Sequence, residues 1–336
     1  MTSISELLDL AYARRNAFID ENHNTAFRLF NGFLEGSPNT CVDIYARTAL
    51  IHNYSLSPAD DLTANVRAWV LEKIPWVECI LVKLRSKQAS LEERTTLLFG
   101  TTPDRKIIEN GVWYALDLTM NRDASFYLDT RLLRAWAKNN LIGKTVLNTF
   151  AYTGSLGVAA LAGGAAQVVQ LDRNARFLDL ARQSYALNDL PFSQKDFLIQ
   201  DFFPAVSHLK QNKQTFDCVF LDPPFFASTA RGTVDLETGS TRLINKIRPL
   251  INNGGWLVAI NNALFVSGQD YYSSLESLCV DGYLSIEKLI PVPPDFAGFD
   301  QKNADSLPSS PSPFNHSTKI AILRVSRKPL LAPFIT

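Results

Sequence analysis

Two stretches of the chain carry residue types whose spacing suits chemistry. Thr145 to Asp172 reads TVLNTFAYTGSLGVAALAGGAAQVVQLD. It divides into a short apolar run to Phe150, a loop containing Gly154 and Gly157, a small-residue helix, and a second apolar run (Gln167 to Leu171) ending on Asp172. Strand, glycine loop, helix, strand and acid make up the nucleotide half of a doubly wound sheet. Glycines there let the backbone approach a ligand, and the acid accepts hydrogen bonds from ribose hydroxyls. A dinucleotide site requires G-x-G-x-x-G to seat a pyrophosphate. Here Tyr152 stands two residues before Gly154, so the first glycine is missing and a nicotinamide-dependent dehydrogenase ranks last among the readings. The loop suits a nucleoside cofactor lacking a pyrophosphate, of which S-adenosylmethionine (SAM) is the obvious one. The competing expectation is that Gly154 and Gly157 only permit close helix packing.

The second stretch, Phe216 to Phe226, reads FDCVFLDPPFF. A buried strand, Cys218 to Leu221, delivers Asp222, Pro223, Pro224 and Phe225 to the carboxyl end of the sheet, where ligands bind in open α/β folds. Consecutive prolines fix the backbone as it leaves the strand. They hold a polar group and an aromatic platform against a flat substrate. A further run, Lys195 to Gln200, ends on Asp201, an acid placed to face an adenine edge.

With these motifs in view, the region from about Glu109 to the C-terminus resembles the bacterial 23S rRNA methyltransferases that make 5-methylcytosine or 7-methylguanine, a class I SAM-dependent group. VLNTFAYTGSLG, VVQLD with Asp172, NDL at Asn188 to Leu190, and FLDPPFF with Asp222 carry the resemblance. The family's G-x-F-x-D-x-R element reads ASFYLDTR here, with Tyr127, Asp129 and Arg131, and with Ala124 and Ser125 in place of the usual Thr-Gly. Upstream, Ala26 to Tyr45 is similar to the family's small α+β domain. Gly36, Pro38, Val42, Asp43 and Tyr45 match it, while Asn39 and Thr40 depart from it. The resemblance implies an α/β class I methyltransferase sheet of seven strands, the last pair antiparallel, preceded by a small α+β domain. The expected boundaries are an N-terminal helix at 1–22, a substrate- or RNA-binding domain at 23–118, and a catalytic domain at 119–336. The implied SAM-binding set is Tyr127, Asp129, Arg131, Asn148, Phe150, Tyr152, Thr153, Gly154, Asp172, Arg173, Asn188, Asp201 and Asp222. Asp222, Pro223, Pro224 and Phe225 are the implied catalytic residues, and structured RNA, 23S rRNA, the implied partner.

Composition sets bounds on this reading. The chain has 336 residues, 46% of them hydrophobic, enough for one large or two medium domains. Lys plus Arg and Asp plus Glu each number 33, so no net charge attracts nucleic acid, although local patches can bind phosphate. The four cysteines (Cys41, Cys79, Cys218, Cys279) are widely spaced, which fits a reduced, cytoplasmic setting with no metal site. Acids at Glu6 and Asp9 argue against a signal peptide, and no apolar run is long enough for a membrane span. A homodimer stays open, since periodicity does not distinguish an exposed apolar face from a core face.

The coarse element pattern starts with an amphipathic helix from Ile4 to Glu21, capped by Ser5, with Arg14 and Arg15 on a solvated face. Short strands and turns over Thr25 to Tyr54, a helix over Ala59 to Lys73 and a strand over Val77 to Leu84 follow. Lys83, Arg85 and Lys87 alternate there, as a phosphate-facing row or as the charges of a soluble edge strand. Glu109-Asn110-Gly111 turns a hairpin. Tyr127 to Arg131 leads into a helix over Ser125 to Asn139, either as a cover for the nucleoside or as a cap with a surface arginine. Further helices are expected over Arg173 to Leu187, Ala205 to Gln211 and Thr241 to Ile251. Ala227 to Gly239 is polar and irregular, a candidate substrate loop with Arg231 its basic residue. Asn253-Gly254-Gly255 stops the last of these helices before a fifth strand, Trp256 to Ile260. Leu284 to Val292 and Ile320 to Val325 close the sheet, and the Pro/Ser-rich link at 293–314 reads as a mobile loop over the site.

The fifth strand ends in Asn261-Asn262-Ala263. Cytosine-C5 methylation needs a thiolate that adds to the ring, and in the 5-methylcytosine branch a cysteine follows this strand. None does here, and the Asn pair more closely resembles the guanine-N7 branch. N7 already carries a lone pair, so positioning for in-line approach can supply most of the rate. The favoured reading is therefore a SAM-dependent methyltransferase of a large-subunit rRNA base, guanine ahead of cytosine. The alternatives are a methyltransferase of a small molecule or protein side chain, and a non-catalytic relative that binds RNA or SAM.

Overall fold

The computed structural model describes residues 2–55, 61–85, 95–120, 124–229, 232–237, 239–299 and 308–327. The chain divides into two compact units, one formed by 1–132, 179–191 and 292–307, the other by 133–178, 192–291 and 308–336. The expected boundary at 118/119 thus falls inside the first unit, which also takes two later segments.

The first unit is built on a five-stranded sheet. Its elements are α1 (Ile4–Arg15), β1 (Ala26–Asn31), α2 (Gly32–Glu35), β2 (Thr40–Tyr45), β3 (Thr48–Asn53), α3 (Asp61–Lys73), β4 (Cys79–Leu84) and β5 (Thr95–Phe99). The spatial order is β1-β2-β3-β4-β5. Neighbours are antiparallel except β3 and β4, which run parallel because α3 crosses over between them. Strand alternation divides the side chains by face. Phe27, Leu29, Val42, Ile44, Ala49, Ile51, Ile80 and Val82 pack with Leu8 of α1 and Val66, Trp69 and Val70 of α3. Arg28, Asp43, Tyr45, His52 and Lys83 fall on the opposite face.

Several expectations change here. The helix cap is Ser3, not Ser5: Ser3 and Glu6 form a reciprocal capping box, and α1 ends at Arg15 in a short 3-10 turn. Arg15 is fully buried rather than solvated, paired with Glu35 through two hydrogen bonds of 2.8 and 2.9 Å. Lys83 is buried too, its Nζ donating to the Met120 carbonyl at 3.2 Å, and so is withdrawn from any phosphate-facing row. Lys87 lies outside the described residues. The hairpin β6 (Lys106–Glu109) and β7 (Val112–Ala115) forms as expected, with positive φ at Asn110 and Gly111, the backbone of a type I′ turn.

The second unit holds a seven-stranded sheet. In chain order its elements are α4 (Arg131–Asn140), β8 (Thr145–Thr149), α5 (Ser155–Ala162), β9 (Gln167–Asp172), α6 (Ala175–Leu187, of which 179–187 count in the first unit), β10 (Phe197–Ile199), α7 (Phe202–Gln211), β11 (Phe216–Leu221), β12 (Phe226–Thr229), β13 (Gly232–Asp235), α8 (Ser240–Ile247), β14 (Ile251–Asn261), α9 (Gly268–Cys279), β15 (Leu284–Ile290) and β16 (Lys319–Val325), with α10 (Pro294–Ala297) between the last two strands in the first unit. The sheet order is β10-β9-β8-β11-β14-β16-β15. β16 inserts between β14 and β15, antiparallel to both, which gives the expected antiparallel closing pair. The core beneath joins Leu147, Val169, Leu171, Val219, Leu221, Leu257 and Ala259 to Phe202, Phe203 and Val206 of α7 and to Leu243, Ile244 and Ile247 of α8.

Two segments differ from expectation. Within the segment expected to be an irregular loop, 226–229 and 232–235 pair as the antiparallel strands β12 and β13, and Arg231 lies outside the described residues. Asn253-Gly254-Gly255 does not end a helix: α8 stops at Ile247, and those residues lie inside β14. Gly254 there takes a φ of 73°. Residues 300–307 of the Pro/Ser-rich link are outside the described set, and α10 occupies its start. Among the described residues no helix is long and apolar enough to cross a membrane, and no group of three or more His, Cys, Asp or Glu could hold a metal ion.

Candidate active site

In the second unit the chain leaves β8 to build β9 and β10 on one side, then returns to build β11 and β14 on the other. The carboxyl ends of β8 and β11 therefore flank the point where strand order reverses, the place at which open α/β sheets bind ligands. Register brings the ends into line: Thr149 pairs with Leu171 and with Leu221, and Leu221 pairs with Ala259. The loop after Thr149, Asp172 after Leu171, Asp222 after Leu221 and Asn261-Asn262 at the end of β14 thus share one end of the sheet.

The loop after β8 is held in an uncommon conformation. Phe150, Tyr152 and Gly154 have φ values of 52°, 50° and 75°. Such residues persist where the surroundings over-determine them. Asp172 supplies one restraint, its Oδ2 accepting the Tyr152 N–H at 2.9 Å while Oδ1 accepts the Asn174 N–H at 2.9 Å. The Ala151 N–H donates to the Leu171 carbonyl, also at 2.9 Å. Phe150 stacks on Phe202 and Tyr152 meets Phe177 edge-on. Burial pushes the Asp172 carboxyl above the usual carboxylate range, opposed by its amide donors. A carboxylate has about four acceptor sites. The backbone amides of Asn174, Tyr152 and Arg173 take part of that capacity and leave acceptor capacity for a ribose hydroxyl. The chemistry of this carboxylate therefore fits the nucleoside of SAM.

The two glycines have different jobs. Gly154 takes the left-handed conformation at the N-cap of α5. Gly157 lies inside α5, and a Cβ there would stand 2.3 Å from Nε2 of Gln170. Gly154 gives the loop its left-handed turn, and Gly157 admits close packing of α5 on β9. Asn148 is buried and donates to Gln170 Oε1 at 2.8 Å. Thr153 is buried and Arg173 exposed. Asp201 caps α7 by accepting the Phe203 N–H at 3.1 Å, which is why that helix starts at Phe202 and not at Ala205.

On the β11 side Pro223 is buried, Asp222 half-buried and Pro224 exposed, while Phe225 and Phe226 are 44% and 61% exposed. The Tyr271 hydroxyl is pushed up by burial and, second, by the charge of Asp222. The Phe225 carbonyl accepts the Leu236 N–H at 3.1 Å, and the Leu236 carbonyl accepts from Asn261 Nδ2 at 3.2 Å. Hydrogen bonds thus link the hairpin to the end of β14. Asn261 is buried in that bracing role, whereas Asn262 is exposed, as are Leu264 and Phe265. Lys319 Nζ, buried and pulled down to about 8 by desolvation, donates to the carbonyls of Ala263 (2.9 Å) and Ser317 (2.7 Å). Neither Lys319 nor Gln170 stood out in the sequence.

Four of the expected cofactor residues belong to the first unit, where two are held by other parts of that unit. Arg131 donates to both carboxylate oxygens of buried Asp295, at 2.8 and 3.0 Å, and to the Ala26 carbonyl at 2.8 Å. It is neither a surface arginine nor an open one. Asn188 accepts the Trp113 N–H at 2.8 Å and donates to the Trp113 carbonyl at 2.7 Å, which braces the β6–β7 hairpin. Tyr127 is 42% exposed and Asp129 half-buried. Ser125, which replaces the family's glycine, keeps a glycine-like φ of 55°, and its Oγ accepts the Asp117 N–H at 2.8 Å.

The family model described as S-adenosylmethionine-dependent methyltransferase matches residues 90–305. A ribosomal RNA large subunit methyltransferase I from Photobacterium profundum is 31% identical over 271 residues, covering 77% of this chain and 67% of the relative. The protein of that name from Aeromonas salmonicida is 33% identical over 229 residues, 66% of this chain and 57% of the relative. The chain thus spans between 57% and 67% of the length of these relatives. In fold it is similar to a solved methyltransferase complexed with SAH, with a TM-score of 0.84 at 23% identity over 97% of this chain and 83% of the other. The chain belongs to the S-adenosylmethionine-dependent methyltransferase family.

Proposed function

We propose that the chain transfers the methyl group of SAM to a base of large-subunit ribosomal RNA, guanine at N7 in preference to cytosine at C5. The observation that carries the choice of base is the end of β14, where Asn261-Asn262-Ala263 provides no thiol. All four cysteines are described, and none suits attack on a pyrimidine. Cys41, Cys79 and Cys218 are buried, burial pushes each thiol up, and Cys279 sits half-buried at the end of α9. The relatives' names supply the substrate class.

In this reading SAM supplies an electrophilic methyl on a sulfonium. Asp172 accepts the ribose hydroxyls, and the loop from Phe150 to Gly154, with Asn148, Thr153 and Arg173, lines the nucleoside. Asp201 stands toward the adenine; the family motif adds Tyr127, Asp129, Arg131 and Asn188 as candidates, of which Arg131 and Asn188 already bond Asp295 and Trp113. Asp222 accepts from the base edge, Pro223 and Pro224 fix its direction, and Phe225 stacks on the ring. A base within a duplex is extruded to reach them. In this reading the unit with the five-stranded sheet serves substrate binding, and the unit with the seven-stranded sheet carries out the transfer.

The test is transfer of labelled methyl from SAM to rRNA from a strain lacking the gene, comparing wild type with Asp222→Ala, followed by digestion to nucleosides. Label in one guanosine, lost in Asp222→Ala while SAH still binds, is expected. Label in cytidine would overturn the argument from the missing thiol. A second reading, a small-molecule or protein substrate, draws on the balance of 33 basic and 33 acidic residues. It gains if rRNA takes no label and shows no salt-dependent binding, because phosphate contacts bring counterion release.

A further inference from the structure

We infer that Gln170 is a positioning residue for the cofactor: it locks the loop after β8 into its binding geometry before a ligand arrives, with Gly157 as the gap that admits it. This rests on the reading of that loop as the seat of SAM.

Gln170 lies in the middle of β9 and is completely buried. An amide there is costly unless its hydrogen bonds are made. The register pairs Gln170 with Asn148 on β8, and the two side chains join through Asn148 Nδ2 and Gln170 Oε1 at 2.8 Å. The Gln170 Nε2 then donates to the Gly154 carbonyl at 3.1 Å. That carbonyl also accepts the Val158 N–H at 2.9 Å, the first bond of α5. The peptide plane at the end of the loop is therefore held from the helix and from the sheet. Asp172 holds Tyr152 and Leu171 holds Ala151. Without the Gln170 tether, the C-terminal end of the loop keeps its helix bond but loses its tie to β9.

Gly157 shows why the tether fits. A Cβ at that position would stand 2.3 Å from Nε2, 2.7 Å from Cδ and 2.8 Å from Oε1 of Gln170. Helix α5 approaches β9 as closely as a bare Cα permits, and the amide fills the space. A methyl group at 157 would have to displace the Gln170 amide, which is pinned at both ends. The glycine costs helix propensity, and the cost is offset by a loop whose shape is set in advance, which favours binding by reducing what must be ordered on association.

The experiment uses the full chain and SAH as the probe, with four proteins: wild type, Gln170→Met, Gly157→Ala and the double variant Gln170→Ala/Gly157→Ala. SAH affinity is measured by calorimetry, thermal stability by unfolding of the ligand-free protein, and loop order by hydrogen exchange of the amides of 151–155 without ligand. Both single variants are expected to bind SAH roughly 10-fold more weakly, the worth of about one net hydrogen bond, with faster exchange at Tyr152 and Gly154. KM for SAM rises in the same proportion, while kcat at saturating SAM holds. In the double variant the methyl at 157 occupies space vacated by the amide, so stability rises above that of Gly157→Ala, while the loss of Asn148's acceptor keeps it below wild type. SAH binding stays weak and exchange stays fast, since the Gly154 carbonyl still lacks its tether. A purely structural role predicts that affinity recovers with stability, and that result overturns the proposal, as does unchanged exchange in Gln170→Met. If a single variant fails to fold, the double variant decides. A wild type that does not bind SAH defeats the cofactor reading itself, and the exchange data then still judge the tether.

Discussion

Asp43 in the first unit and Asp172 in the second are both buried or half-buried acids on sheets, and they answer to opposite forces. Asp43 is 2% exposed and brings its own cation: Arg28 donates through Nε at 2.7 Å and a terminal nitrogen at 3.1 Å, and His52 Nε2 lies at 2.8 Å. Burial works against its ionised form, but Arg28 and His52 together hold the carboxyl well below its usual range. Arg85 donates to Nδ1 of His52, so the neutral ring carries its proton on Nε2, facing Asp43. Burial draws His52 down to about 4. Asp172 is met by backbone amides, those of Asn174, Tyr152 and Arg173, and burial pushes its carboxyl up. An acid saturated by its own neighbours holds a fold together. An acid that is desolvated, only partly bonded and placed at the switch point of a parallel sheet keeps acceptor capacity for a ligand.

The sharpest way to break this contrast is to delete each acid. Asp43→Ala leaves Arg28 buried without its counter-charge, and loss of one partner of a buried pair costs about 3–5 kcal/mol. Urea unfolding should show that loss, while SAH affinity of the protein that remains folded stays at the wild-type value. Asp172→Asn should do the reverse. Its fold persists and SAH binding weakens about 10–100-fold, the worth of hydrogen bonds to a charged acceptor, as read by calorimetry. If Asp43→Ala selectively abolished SAH binding in a stable protein, the division of labour between the two acids would fail.

His52 sharpens the contrast through pH. Its folded pKa of about 4 lies below the ordinary 6.5. Between those values the unfolded chain binds a proton that the folded chain refuses, so stability rises with pH across that window and is lost as pH falls through it. The slope reaches at most about 1.4 kcal/mol per pH unit from this one group. His52→Gln should flatten that part of the profile. Asp43, with a depressed folded pKa, adds its own loss at more acidic pH.

Particular residues show what the sequence could and could not reveal. The nucleotide half of the sheet was legible because its signals are local: period, turn residues and an acid at a strand end all lie within Thr145 to Asp172. The same locality concealed the partners. In sequence Arg131 groups with its neighbours Tyr127 and Asp129, but in the fold it pairs with Asp295, 164 residues away. Arg15 looked like a solvated charge, and only the fold brings Glu35 to it. Gln170 passed for a strand residue, since nothing in VVQLD tells that the preceding helix will present a bare Cα to it. The pairing of β12 with β13 is not legible in the sequence, because short polar strands resemble a loop when the register is unknown.

The smallest expected effect separates the two acids without any mutation of the fold. A ribose hydroxyl donates best to an ionised carboxylate, so SAH binding should weaken as pH falls through the folded pKa of Asp172. That pKa is raised, and the decline therefore begins at higher pH than for an ordinary aspartate. Linkage also fixes the sign for the ligand-free protein. Because the folded state holds this proton more tightly than the unfolded state, the group lowers stability as pH rises through its range, opposite to Asp43. A protonated carboxyl still accepts through its carbonyl oxygen, which limits the loss of affinity to about a few-fold. Calorimetry across the mildly acidic range, with the fold checked by circular dichroism at each pH, should give this shallow decline in wild type and a flat profile in Asp172→Asn. A decline that survived in Asp172→Asn would assign the titrating group elsewhere and remove Asp172 from contact with the nucleoside.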